Sequence, residues 1–391
     1  MSKFTGVPSP VPLHEQATPP SPWPRRLSRR VYLRETAIGG NAPITVQSMT
    51  TTPPHDARGT LEQIAELASA GCDIVRVTVP DALAVNALEK IVTESPIPVV
   101  ADIHFESHLA LDAIRVGAHG IRINPGNIGT PDAVREIAAL AAEKHVVIRV
   151  GVNSGSLEPD LLARFGGPTP EAIVVSAKRH CQLLEDAGCA RIKVSLKASD
   201  VRTTVAANRL FAAQTDYPLH LGVTEAGNAW RGSIKSAMGI GCLLLEGIGD
   251  TIRVSLTAPP SEEVRAALLL LSAIGLRTGG GPDVISCPTC GRTKVELAPL
   301  VEAVEAELAQ LAKAGNTVHL ERIAVMGCAV NGPGEAREAD LGIALGKKSG
   351  VLFKKGIVVG SIPEGEITER LIQEIRSAAE PGSELKASPI A

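Results

Sequence analysis

Eight short runs rich in β-branched residues recur along the chain, at 44–49, 74–79, 99–103, 120–125, 146–153, 191–197, 219–225 and 251–257. Between most of them lie Ala/Leu/Glu-rich segments with helical spacing, at 60–70, 82–94, 107–117, 131–144, 170–187 and 231–240. Several of these segments stop at a glycine, as at Gly71, Gly117 and Gly188, which suits a left-handed C-cap. Strand alternating with helix reads as a parallel sheet. Eight such units predict an α/β fold, a closed (β/α)8 barrel. An open doubly wound sheet usually carries a Gly-rich phosphate turn after its first strand. Here that place is taken by Gln47-Ser48-Met49-Thr50-Thr51-Thr52. Aromatic residues make up only 2% of the chain against 44% hydrophobic residues, so Val, Ile, Leu and Ala must fill the core, as layered α/β packing requires.

The rhythm breaks at Arg277-Thr278-Gly279-Gly280-Gly281-Pro282. Beyond it the pattern predicts a smaller α+β unit: strand 283–287, helix 296–314, strands 320–327, 340–346 and 351–360, and helix 366–379. The expected domains are a Pro-rich disordered tail (1–27), the barrel (28–276), the second unit (282–380) and a flexible C-terminal tail (381–391). The formal net charge of -3 gives no global attraction for nucleic acid or an acidic membrane, so any anion site must be local. No apolar run approaches the length of a membrane span, and the N-terminus lacks the apolar core of a signal peptide.

The ends of the barrel strands carry the chemistry. They present Arg76 and Thr78, Asp102 and His104, Arg122 and Asn124, Arg149 and Asn153, then Lys193, Ser195 and Lys197, then Thr224 and Glu225, and finally Arg253 and Ser255. Residues two apart on a strand share a face, so Arg76/Thr78 and Arg253/Ser255 point one way while Val75, Val77, Ile252 and Val254 point towards the helices. Buried guanidinium groups need a counter-ion. One such Arg alone fits an internal ion pair. Arg76, Arg122, Arg149, Lys193 and Arg253 together, opposed by Asp102 and Glu225, point to a diphosphate or to more than one phosphate. His104 alone fits a structural histidine as well as a catalytic one, and Glu225 is the better acid candidate.

Seven cysteines, an odd number in a large chain, argue against a disulfide framework. Cys287 and Cys290 form a C-x-x-C, and Cys328 ends an apolar run before a turn containing Gly332, Pro333 and Gly334. Three thiolates leave a fourth ligand to be found. A [4Fe–4S] cluster completed by Glu335, a zinc site completed by His319, and a redox dithiol all fit the spacing. Cys72, Cys181, Cys189 and Cys242 read as core residues.

Ser286-Cys287-Pro288-Thr289-Cys290-Gly291-Arg292-Thr293 together with Met326-Gly327-Cys328-Ala329-Val330-Asn331-Gly332-Pro333-Gly334-Glu335-Ala336 resembles the cluster signature of the 4-hydroxy-3-methylbut-2-enyl diphosphate synthase family. Val46-Gln47-Ser48-Met49-Thr50, Val100-Ala101-Asp102-Ile103-His104 and Ile121-Arg122-Ile123-Asn124-Pro125-Gly126-Asn127 resemble its barrel, and the resemblance runs from about 28 to 375. It implies a [4Fe–4S] cluster on Cys287, Cys290 and Cys328, with Glu335 as a fourth ligand that substrate displaces. The implied substrate is 2-C-methyl-D-erythritol 2,4-cyclodiphosphate, opened by two electrons and two protons with loss of water. A flavodoxin or ferredoxin would supply the electrons. Arg76, Arg122, Asn124, Arg149, Asn153, Lys193, Arg253 and Ser255 would hold the diphosphate, with Asp102, His104 and Glu225 handling protons. The family forms a head-to-tail homodimer. The chain lacks the long plastid insert, which implies a bacterial, cytoplasmic enzyme; the Pro-rich tail lies outside the family pattern. The alternative from the residues alone is a zinc-containing TIM-barrel sugar-phosphate isomerase or aldolase with Lys193 or Lys197 as a Schiff base.

Overall fold

The protein is described by a computed structural model covering residues 24–124, 127–277, 281–290, 293, 295–328 and 332–379. The 278–280 break, residues 1–23 of the expected tail and the tail 381–391 lie outside the described residues.

The chain enters through Pro24–Arg30, which is tied to the barrel and is not part of a loose tail. Arg25 reaches the buried Asp250 at 3.0 Å, and Arg26 donates to the carbonyls of Thr215 and Tyr217 at 2.5 Å each. An antiparallel hairpin follows, β1 (Val31–Leu33) and β2 (Thr36–Ile38). Its inner residues Val31, Leu33 and Ile38 pack on Ile74, Val100 and Val147, where the barrel strands begin. The hairpin therefore floors the barrel. Gly120 accommodates it: a Cβ there would stand 2.7 Å from Leu33 Cδ2.

The barrel alternates β3 (Thr45–Met49), α1 (Ala57–Ser69), β4 (Ile74–Thr78), α2 (Ala82–Glu94), β5 (Val99–Asp102), α3 (Ser107–Arg115), β6 (Gly120–Ile123), α4 (Pro131–Glu143) and β7 (Val147–Asn153). It continues with α5 (Pro159–Phe165), α6 (Pro170–Asp186), β8 (Ile192–Lys197), α7 (Val201–Ala212), β9 (His220–Leu221), α8 (Ala229–Leu245), β10 (Thr251–Ile252) and α9 (Pro260–Ala273). Neighbouring strands pair in parallel in the order β8-β7-β6-β5-β4-β3-β10-β9. A bridge between Val194 and Leu219 brings the two ends of the sheet together. Local chemistry starts the helices: Asp81, Thr130, Thr169 and Asn228 each accept an orphan backbone N–H three residues on. Gly71, Gly117 and Gly188 follow their helices at positive φ. The core between sheet and helices is aliphatic, with Val75, Val77, Ile121, Ile123, Ile148 and Val150 facing outward into it.

The chain divides into two units at Arg277. The second holds β11 (Asp283–Ser286), α10 (Ala298–Lys313), β12 (Arg322–Met326), α11 (Gly332–Glu338), β13 (Leu341–Leu345), β14 (Ser349–Lys354), β15 (Ile357–Pro363) and α12 (Ile367–Ser377). Strands β11, β12 and β13 are parallel; β14 and β15 complete the sheet antiparallel. Leu300 and Val304 of α10 and Leu371 and Ile375 of α12 pack on Ile323, Val325, Ile343 and Leu352. Ala336 of α11 joins a separate cluster with Ala324, Met326, Ala344 and Phe353. Two expectations change. The run 351–360 is not one strand but parts of two, joined through Lys355 and Gly356 at φ of 46° and 81°. Gly332-Pro333-Gly334 is not a turn but the opening of α11.

Candidate functional site

Parallel register puts Asp102 beside Arg122, Arg122 beside Arg149, and Arg149 beside Lys193. Paired residues on neighbouring strands face the same way, here into the lumen. Barrel strands are tilted, so such a row does not stay at one depth. On β8 it reaches Lys193, whose Nζ stands 3.4 Å from Thr251 Oγ1 and which does not line the cavity above. Lys197, four residues on, takes the place at cavity level.

That cavity has a volume of about 180 Å³. It is lined by Arg76, Asp102, His104, Arg122, Arg149, Asn153, Ser195, Lys197, Thr224, Arg253 and Ser255. Lys197, Thr224 and Ser195 were visible at strand ends, yet the sequence did not separate them from Lys193. Asn124 stands outside the lining, its amide donating to Ser156 Oγ at 3.1 Å. Glu225 is exposed, also outside the lining, in a left-handed conformation at φ 51°.

Five cations thus face one carboxylate. Asp102 Oδ2 lies 3.5 Å from both Arg76 Nε and His104 Nε2, and its Oδ1 lies 3.4 Å from Arg122 Nη1. Arg122 Nη1 also meets His104 Nε2 at 2.8 Å. Glu263, outside the cavity, supports Arg253 at 3.5 Å. Burial would raise the Asp102 carboxyl, but Arg76, His104, Arg122 and Arg149 hold it well below the usual carboxylate range. Arg149 is 3% exposed, and its Nε and Nη1 have no hydrogen-bond partner among the described residues. Burial, reinforced by neighbouring cations, lowers the pKa of Arg149 and Lys197 far from their ordinary values and brings Arg76 to about 10. Lys193, buried and near Arg149, falls to about 7. Each shift has the same cause, positive charge out of water without enough negative charge to meet it.

In the second unit, Ser286 pairs with Val325, so Cys287 leaves β11 alongside the end of β12, and Cys328 lies two residues past that end. The Gly327 amide donates to Cys287 Sγ at 3.2 Å. A Cβ on Gly327 would stand 2.8 Å from Thr293 Cγ2 and 3.3 Å from Cys287 Sγ, so the position is a cradle only glycine leaves open. Cys290 N donates to Thr293 Oγ1, and Thr293 N returns to Cys290 O. Glu335 is exposed in the first turn of α11. His319 precedes β12 while Cys328 follows it, about 16 Å of strand apart, so His319 cannot close a site with the thiols. Among the described residues, no three His, Cys, Asp or Glu side chains gather tightly enough to hold a single metal ion. Thiolates on a cubane sit at its corners, wider apart than ligands around one ion. Free thiols and an amide already aimed at the Cys287 sulfur are chemistry that suits an iron–sulfur cluster.

Fold and site together define a cation-lined (β/α)8-barrel protein with a thiol-bearing α+β unit. The family described as GcpE TIM-barrel domain matches residues 28–268, and GcpE protein C-terminal domain matches 283–377. The chain belongs to this GcpE family. It is 52% identical over 348 residues to the 4-hydroxy-3-methylbut-2-en-1-yl diphosphate synthase (flavodoxin) of Geobacter sulfurreducens, covering 89% of this chain and 97% of that protein. It is 51% identical over 378 residues to the protein of the same name from Salinispora tropica, covering 96% and 95%.

Proposed function

We propose that the chain is a 4-hydroxy-3-methylbut-2-enyl diphosphate synthase. It opens the ring of 2-C-methyl-D-erythritol 2,4-cyclodiphosphate, using two electrons and two protons, and releases the linear allylic diphosphate and water. The observation that carries this reading is the barrel cavity with five cations and one carboxylate, in a chain about half identical to enzymes of that name.

Arg76, Arg122, Arg149, Lys197 and Arg253 bind the diphosphate, with Asn153 and Ser255 as neutral partners. Guanidinium groups stay charged and supply forked donors, so they bind and orient and do not move protons. Asp102 remains ionised and fixes Arg76, Arg122 and His104 in place. His104 Nε2 and Lys197 Nζ are the cavity atoms able to exchange a proton. The incoming diphosphate favours the charged form of Lys197. Cys287, Cys290, Cys328 and Glu335 would hold a [4Fe–4S] cluster, which when bound supplies low-potential single electrons and an iron corner for the substrate oxygen. Glu225 and Glu335 are the acid candidates outside the cavity. A flavodoxin or ferredoxin is the proposed donor. The working form is proposed to be a cytoplasmic homodimer; among the described residues no helix is long and apolar enough to cross a membrane.

The zinc-dependent isomerase or aldolase reading has no observation in its favour, since the similar enzymes carry a different name. Anaerobic turnover of the cyclodiphosphate with a chemical reductant tests the proposal. Cys328→Ser should lose iron and activity together, whereas Glu335→Ala should keep most of its iron and lose rate. A fully active Cys328→Ser would refute it.

A further inference from the structure

Two interior-facing positions around the cavity carry no side chain. Gly151 lies on β7 between Arg149 and Asn153, and Gly222 lies two residues beyond His220 of β9. Neither has a positive φ, so neither is required by backbone conformation. Glycine inside a strand is otherwise unfavourable, because it adds chain entropy and packs nothing. The space each leaves is filled by a cation. An ideal Cβ on Gly151 would stand 2.8 Å from Arg122 Nε, 3.3 Å from Arg122 Nη2 and 3.4 Å from Arg122 Cζ. One on Gly222 would stand 2.7 Å from Lys197 Nζ, and also 2.7 Å from the Arg253 carbonyl.

We propose that Gly151 is a positioning residue for substrate binding: its missing side chain is the seat on which the Arg122 guanidinium lies. Gly222 serves Lys197 in the same way. From that seat the Arg122 fork reaches His104 at 2.8 Å and Asp102 at 3.4 Å. The three atoms nearest to a methyl group there all belong to the end of one flexible side chain, Arg122. The methyl would therefore lift the fork towards the space the diphosphate needs, with little strain on the backbone. Gly222 is the poorer probe, because a methyl group there also meets a carbonyl. The inference rests on the diphosphate reading of the cavity.

The test uses the cluster-loaded enzyme and three variants: Gly151→Ala, Arg122→Lys and the two combined. Affinity for the cyclodiphosphate is measured by calorimetry without reductant, alongside KM and kcat with reductant. Misplacing one charge-assisted contact should weaken binding and raise KM by about tenfold. The thermal midpoint of Gly151→Ala should move by less than ~3 °C. Lysine has no fork to collide with the methyl, so adding Gly151→Ala to Arg122→Lys should cause no further loss. Unchanged affinity in Gly151→Ala, or losses that multiply in the double variant, would overturn the inference. If Gly151→Ala does not fold, a double variant that folds supports it and one that does not overturns it. Wild-type enzyme that fails to bind the cyclodiphosphate would instead refute the diphosphate reading itself.

Discussion

At the scale of single residues, the barrel interior is graded. Its floor is apolar, with Leu33 against Ile74, Val100 and Val147. Above that come Thr45, Thr251 and Lys193, and then the guanidinium groups. Lys193 is 1% exposed, and its pKa of about 7 makes it a stability group as well as a charge. An unfolded lysine binds a proton up to about pH 10.4. Between pH 7 and that value the unfolded chain holds more protons at this residue than the folded one, so stability rises with pH across the window. Below pH 7 both states are protonated and the folding penalty is at its full size. Lys193→Met should therefore be more stable than wild type at pH 6, and the gain should shrink steadily towards pH 10. Urea unfolding at four or five pH values measures it. A gain independent of pH would mean that Lys193 keeps its proton in the fold across the whole range, so that its pKa is not lowered.

Elements explain what the sequence could and could not reveal. The barrel was legible because parallel strands covered on both faces read as apolar runs between capped helices. The second unit was less so. Gly332-Pro333-Gly334 carries every mark of a breaker, yet Gly332 fits against Met326 and Ala344, and the α11 backbone passes so close to β13 that only Gly342 can face it. The depth of a site residue was also hidden. Strand tilt sends Lys193 below the cavity and brings Lys197 into it, and the alternation of residues on one strand cannot register that. Gly151 was silent for a simpler reason, since its contribution is a side chain it lacks. Gly342→Ala tests the packing of α11: its Cβ would stand 2.2 Å from the Ala336 carbonyl oxygen, so helix and strand must part. A loss of about 2–4 kcal/mol in stability is expected, as for overpacking against backbone. Denaturant unfolding should show it, with lower iron content after reconstitution if Glu335 is a ligand. Wild-type stability would mean that the helix floats freely on the sheet.

For the whole molecule, a net charge of -3 conceals a cavity of opposite sign, and that separation sets a trade between stability and function. Several cations are kept apart from water in the barrel, and Arg149 holds two nitrogens without a hydrogen-bond partner among the described residues. Replacing even a buried ion pair with apolar side chains of similar volume is often neutral or stabilising by about 1–4 kcal/mol, and a buried charge with too few counter-ions has less attraction to lose. A bound polyanion reverses the balance, because a ligand that binds only the folded state adds about 2.7 kcal/mol at a hundredfold excess over its Kd. Arg149→Met should therefore melt above wild type in ligand-free buffer and gain little from inorganic pyrophosphate. Wild type should start lower and climb with pyrophosphate until it overtakes the variant. Added salt should weaken that climb less than it weakens a surface ion pair, since most of the cations involved are buried side chains. Thermal melts of both proteins over a pyrophosphate titration measure the crossing. Parallel curves would mean that Arg149 contributes nothing to the anion site, and a wild-type midpoint that pyrophosphate leaves unmoved would mean that the cavity is not an anion site at all.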